Sequence, residues 1–331
     1  MDDPDRHKSL RRRTYRVPLN QMLGREGRQD IMLRAIIVHG GAGRVPGDEL
    51  APRQAILDQA TGLALDALSQ GQAPLLAVEH AVNLLEDSDL FNAGRGGAMR
   101  LEGSVSLDAS CMTSELDCGA VADLRGIRHA ISIARLVMEE TPYVLLVGRA
   151  STELALQFGH QLEDLHTERN IRRWLTARQA LEQLPYKEQL RLLRGLASSA
   201  EETGRHGTVG AVALSDDGRL ACGTSTGGIA SPLTHEGRVG DTPLIGAGTY
   251  CNEYGGASST GVGEAITRAT LSREVVRLIE SGLHPQEAAE RAIERFAAQT
   301  GSEAGVIALD RRGRHGAAYN TSMMQTAFAH D

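Results

Sequence analysis

The sequence predicts an α+β protein in four layers, an αββα sandwich of helix, sheet, sheet and helix. Two observations lead there. Short apolar strands come in pairs joined by glycine-bearing turns, as at 208–214 and 220–224 across Asp216-Asp217-Gly218. Pairs of segments with apolar residues at helical spacing flank these strand pairs. A doubly wound parallel sheet would instead alternate strands and helices one by one.

Taken in chain order, residues 1–31 hold eight Lys/Arg against five Asp/Glu and no apolar periodicity. That composition predicts a disordered extension ahead of a single domain over 32–331. A strand at 35–38 runs into His39-Gly40-Gly41-Ala42-Gly43, read as a glycine-rich turn. Ile56, Leu57, Ala60, Leu63, Ala64, Ala67 and Leu68 recur at helical spacing, and the pattern stops at Gly71. Pro74 opens a second helix carrying Leu75, Val78, Val82 and Leu85. Residues 91–119 read as loops and strands. Ile127 to Met138 form another helical stripe, ended by Pro142, and 143–147 reads as a buried strand. The charged stretch 161–207 is helical in parts but has few apolar positions and reads as a surface linker, where a cleavable peptide belongs. Helices are expected at 263–281 and 285–299, and final strands at 306–309 and 317–319.

A chain of 331 residues can bury one large core or two ordinary ones. With only 3% aromatic residues, Leu, Val, Ile and Ala must fill it. The net charge of −7 argues against nucleic acid as the main partner. No apolar run has the length of a membrane span and no signal-peptide core opens the chain, so a cytoplasmic protein without membrane contact is expected. Cys111, Cys118, Cys222 and Cys251 fit neither zinc nor disulfide spacing and read as reduced, buried thiols.

The chemistry centres on Gly207-Thr208. A threonine inside a chain has no adjacent base; freed as an N-terminus, it carries an α-amine of pKa about 8 within reach of its own hydroxyl. Self-cleavage before Thr208 is therefore expected, with Gly207 admitting the strained backbone an N-to-O acyl shift needs. A hairpin brings Thr226, from Thr224-Ser225-Thr226-Gly227-Gly228, beside it. Arg238 is a planar fork suited to a carboxylate, and Asp241 can accept from an ammonium, although the two also suit a local ion pair. In Ser258-Ser259-Thr260-Gly261-Val262-Gly263-Glu264, the Thr260 hydroxyl and Gly261 N–H are oxyanion donors, or Thr260 is a helix N-cap. A dinucleotide-binding reading of HGGAG fails on spacing, because G-x-G-x-x-G is absent.

In order along the chain, VHGGAG, LFNAGRGG with LDAS, GTVGAVAL, TSTGG, GRVGDTPLIGAG and TGVGE resemble the plant-type L-asparaginases, or isoaspartyl peptidases. These are threonine N-terminal-nucleophile hydrolases, and the resemblance covers about residues 33–325. It implies the αββα fold of that class and cleavage into an α subunit ending at Gly207 and a β subunit of 208–331. Thr208 would be the nucleophile, assisted by Thr226, with Asn92 nearby. Arg238 would hold the substrate α-carboxylate, Asp241 its α-ammonium, and Thr260 and Gly261 the oxyanion. Backbone carbonyls of Leu85, Glu86, Ser88, Phe91, Ala93 and Arg95 would bind sodium, with no organic cofactor. The implied substrates are L-asparagine and β-aspartyl dipeptides, and the implied assembly is an (αβ)₂ heterotetramer. Two neighbouring readings are a glycosylasparaginase-like amidase and a non-processing relative with a binding role. The 229–236 segment, with Pro232 and His235, is longer than the family's usual.

Overall fold

The computed structural model describes residues 33–185, 187–189, 207–229 and 234–331. The expected extension at 1–31, the end of the linker before Gly207 and Pro232 lie outside the described residues.

Strand β1 (Ala35–Ala42) is buried along its whole length. It continues through the His39–Ala42 stretch that reads as a turn, with a register irregularity between His39 and Ala42. The glycines there serve close packing: a Cβ on Gly40 would stand 2.6 Å from the Phe91 ring. β1 pairs antiparallel with β5 (Val209–Leu214) on one side and with β11 (Met324–His330) on the other. β11 escaped the sequence reading because Gln325, Thr326 and His330 break up its apolar pattern. Adding β6 (Leu220–Thr226), β2 (Leu107–Thr113), β3 (Cys118–Leu124) and β4 (Leu145–Val147) completes a seven-stranded sheet, ordered β11-β1-β5-β6-β2-β3-β4. A second sheet runs β10 (His315–Tyr319), β9 (Ala304–Asp310), β8 (Gly255–Gly261), β7 (Thr249–Asn252).

Alternation along the strands assigns their two faces. Ile36 and Val38 join Leu57 of α1 (Gly47–Ser69), Val78 of α2 (Pro74–Glu86) and Ile131 of α3 (Ala130–Glu140) in one core. Ile37, Val212 and Leu214 point the other way and meet Cys251, Ile307 and Leu309 of the smaller sheet. That sheet's outer face packs Val306 and Ala308 against Ile266 of α6 (Gly263–Ala269), Val276 of α7 (Leu271–Glu280) and Phe296 of α8 (Pro285–Thr300). Each large side chain in these cores contributes roughly 1.5–3 kcal/mol by leaving water.

Two local expectations are corrected. The single helix expected at 263–281 is broken at Thr270, whose φ of 47° is left-handed although no glycine or proline marks the spot. The 143–147 segment is not a buried strand: β4 has three residues on a sheet edge, and Val147 is 52% exposed. After α4 (Arg149–Gln157), the 161–207 stretch is helical in part, as expected, with α5 at Glu168–Glu182. Thr167 and Asn170 form a reciprocal cap at its start, and Trp174 Nε1 donates to the Arg100 carbonyl at 2.9 Å, so this part is anchored to the domain. All four cysteines are free thiols, three of them buried.

Candidate active site

The site forms where β5 begins. Thr208 is buried, and its Oγ1 donates to Thr226 Oγ1 at 3.1 Å. The β5–β6 hairpin register causes this meeting, since Val209 pairs with Ser225. Thr226 Oγ1 also accepts from the Gly228 N–H at 3.1 Å. Asn92 ties the surrounding chain together. Its backbone N–H donates to the Gly207 carbonyl at 2.9 Å and its carbonyl accepts from Gly227 N at 2.8 Å. Its Nδ2 donates to the Gly228 carbonyl at 2.6 Å, and its Oδ1 accepts from Ala98 N at 2.8 Å. Gly207 is needed for space: a Cβ there would stand 2.8 Å from Asn92 Cβ.

Across the gap between the sheets, a Cβ on Gly256 would lie 2.7 Å from Val212, and one on Gly210 would lie 2.0 Å from Ser258 Oγ. The stacking advances two residues at a time toward Thr208, just before β5, and Thr260 on β8. Thr260 sits within the strand and is not a helix cap; the cap of α6 is Val262. Thr260 is fully buried, and its Oγ1 has no partner. An unpaired buried hydroxyl costs about 1–3 kcal/mol and stands ready to donate. Gly261 has φ of 142°, and a Cβ there would meet Ala304 Cα at 2.6 Å.

Arg238 and Asp241 do not pair with each other. Arg238 Nε and Nη2 bond Glu264 Oε1 at 2.8 and 2.7 Å, and Asp241 Oδ2 is buried without a partner. Both nonetheless face one small space. A Cβ on Gly263 would lie 2.8 Å from Asp241 Oδ1 and 2.9 Å from Arg238 Nη2. Burial pushes the Asp241 carboxyl up to about 7, its own backbone N–H and the Arg238 charge opposing. Glu264 was visible in the sequence only as an acid in the first turn of a helix. A further buried acid, Asp108 of LDAS, accepts from Asp123 N at 2.9 Å, and its carboxyl is raised by burial.

In the loop after α2, carbonyl oxygens converge on two glycines. A Cβ would lie 2.2 Å from the Glu86 oxygen at Gly94, and 1.8 Å from the Phe91 oxygen at Gly96. The Leu85 and Ala93 carbonyls each accept one N–H, from Ser88 and Gly96, and keep a lone pair. Among the described residues no cluster of three His, Cys, Asp or Glu side chains could hold a metal. Neutral carbonyl oxygens suit a hard cation.

The Glu86 side chain serves another end. It is fully buried, accepts from Ser225 Oγ at 2.5 Å and from Ile131 N at 3.2 Å, and burial drives its carboxyl to about 8. An unfolded chain would ionise it near ~4.3. The folded state is therefore favoured fully below that value and loses this contribution as pH rises toward 8. Glu86→Gln is expected to remove that part of the decline in melting temperature between about pH 4 and 8. An unchanged decline in the variant would refute the assignment.

The sequence model of the asparaginase family matches residues 32–331. A plant-type L-asparaginase of Thermococcus kodakarensis is 40% identical over 307 residues, which is 90% of this chain and 97% of that protein. An isoaspartyl peptidase/L-asparaginase of Xenopus laevis is 38% identical, covering 91% of this chain and 93% of its own. An isoaspartyl peptidase of Escherichia coli is 35% identical over 89% of this chain and 92% of its own. On a match spanning the whole described domain and relatives of this similarity, the chain belongs to the asparaginase family.

Proposed function

We propose that the chain is an autoprocessing amidohydrolase that converts L-asparagine to aspartate and ammonia and cleaves β-aspartyl dipeptides. The observation that carries this is the 3.1 Å contact of Thr208 Oγ1 with Thr226 Oγ1, next to a Gly207 carbonyl held by Asn92. In the intact chain, Thr208 Oγ1 attacks the Gly207 carbonyl carbon and the peptide nitrogen takes up a proton as it leaves. Water then hydrolyses the ester, leaving a carboxylate on Gly207 and a free amine on Thr208.

That amine takes the hydroxyl proton, directly or through water, and Oγ1 attacks the substrate's side-chain carbonyl. Thr260 and the Gly261 N–H receive the oxyanion, each worth about 10²–10³ in rate. The leaving amine departs as ammonia or as the C-terminal residue, and water frees aspartate. Arg238 takes the α-carboxylate, with Glu264 fixing the guanidinium, and the unpartnered Asp241 oxygen takes the α-ammonium.

The succession of α1–α3, the larger sheet, the smaller sheet and α6–α8 supports the four-layer αββα reading. The carbonyls of Leu85, Glu86, Ser88, Phe91, Ala93 and Arg95 would hold Na⁺, which when bound stiffens the loop leading to Asn92. No organic cofactor enters the reaction. Among the described residues no helix is long and apolar enough to cross a membrane. We read the assembly as an (αβ)₂ pair of processed chains acting in the cytoplasm.

Denaturing electrophoresis with N-terminal sequencing tests the reading. A fragment beginning at Thr208 is expected; a single uncut chain after long incubation, still hydrolysing asparagine, would overturn it. Turnover of glycosylated asparagine in preference to a β-aspartyl dipeptide would shift the substrate class.

A further inference from the structure

The layer between the sheets is apolar over most of its extent, yet at the Thr208 end it changes character. His39 Nε2 lies 2.9 Å from Ser258 Oγ, which lies 2.7 Å from Thr224 Oγ1. Thr249 Oγ1 donates to Thr224 Oγ1 at 2.5 Å, and Ser110 Oγ lies 2.9 Å from Thr249 Oγ1. All five side chains are fully buried. The side chains cross four times between the sheets, from β1 to β8, then β6, β7 and β2.

Both ends reach the proposed catalytic machinery. His39 pairs with Gly210 in the β1–β5 register, two residues beyond Thr208, and its ring is held neutral by burial. Its Nδ1 accepts from Gly41 N, so the proton sits on Nε2. At the other end, Ser110 Oγ donates to the Thr242 carbonyl at 2.5 Å and Thr224 Oγ1 donates to the Gly248 carbonyl at 3.1 Å. Gly248 N in turn donates to the carbonyl of Asp241.

One glycine makes room for this chain and another for the loop at its far end. A Cβ on Gly210 would stand 2.0 Å from Ser258 Oγ and 2.6 Å from His39 Nε2; one on Gly248 would stand 2.8 Å from the Asp241 carbonyl oxygen. Val or Ala at the hydroxyl positions would fill similar volume without demanding five matched hydrogen bonds, so packing alone does not call for them.

We infer that His39 is a positioning residue for the nucleophile, and that the buried hydroxyl chain running from it couples the Thr208 main chain to the loop carrying the substrate-ammonium clamp. The inference rests on the proposed role of Thr208. His39 touches no reacting atom; it fixes where Thr208 stands, and its partners fix where Asp241 stands relative to it.

The test compares His39→Gln, His39→Asn and Ser258→Ala in the full chain. Gln can bring an amide N–H to the place of Nε2, whereas Asn is too short. Self-cleavage, then kcat and KM for L-asparagine per cleaved chain, and melting temperature are measured. H39N and S258A are expected to lower cleavage rate or kcat about tenfold, with KM changed less than about threefold. H39Q is expected to restore the rate to within about threefold of the parent. The H39N/S258A double variant should be no slower than the worse single, because both break one chain. Parent kcat in H39N, or H39Q as slow as H39N at equal melting temperature, overturns the inference. A Thr208→Ala control that still hydrolyses asparagine removes the nucleophile assignment itself; an inert control beside an unaffected H39N removes only the role of His39.

Discussion

Thr208→Ala leaves the purified chain uncut and lowers hydrolysis of L-asparagine and β-aspartyl dipeptides by at least about 10⁴-fold. The size follows from a double loss. Alanine has no oxygen to attack the Gly207 carbonyl, so the bond stays closed and no α-amine appears. Even a chain cut by other means would lack the atom that accepts the acyl group. Thr208→Ser keeps the oxygen 3.1 Å from Thr226 within reach and is expected to cleave and to retain activity within about tenfold. Neither change threatens the fold, since Thr208 contributes one methyl and one hydroxyl hydrogen bond, each on the order of 1 kcal/mol. Gel electrophoresis and single-turnover rates read both outcomes. An uncut T208A chain hydrolysing at the parent rate would mean that another residue is the nucleophile.

The parts of this site legible in the sequence were those whose residue types carry rare chemistry at short range. Thr208 and Thr226 meet because one tight hairpin joins their strands, and a hairpin is readable from Asp216-Asp217-Gly218. Arg238 and Asp241 share one loop. The hidden parts depend on long-range packing. Nothing local marks Glu264 as the partner of Arg238, 26 residues away, nor Ser258 as the neighbour of His39, 219 residues away. The HGGAG stretch looked like a turn because glycine there substitutes for space beside Phe91. Thr270 adopts a left-handed backbone that its side chain disfavours, so the helix break was invisible. β4 misled for the opposite reason: an apolar run signals burial, and this one lies on an open edge.

Asp241→Asn is expected to lower kcat/KM about 10²–10³-fold, because a buried carboxylate meeting an ammonium is replaced by a neutral amide. The same change should make the free protein more stable at pH 8. Burial raises the Asp241 carboxyl to about 7 from an ordinary value near ~3.9. A carboxyl raised in the folded state contributes fully below its unfolded value and loses that contribution as pH climbs through the folded one. The parent therefore gives up stability between about pH 4 and 7, on the order of 4 kcal/mol, and D241N does not. Activity runs the other way along the same axis. Below about pH 7 the carboxyl takes a proton and no longer holds the ammonium, while the Thr208 amine, near ~8, is also protonated. The acid limb of log kcat/KM should approach a slope of two in the parent and one in D241N. A parent limb of slope one, or a D241N enzyme both less active and less stable at pH 8, would place Asp241 in the framework and outside the binding site. An ionised carboxylate kept dry and unpaired at Oδ2 is unfavourable until a cation arrives, and that makes it a selective receptor for the substrate's α-ammonium.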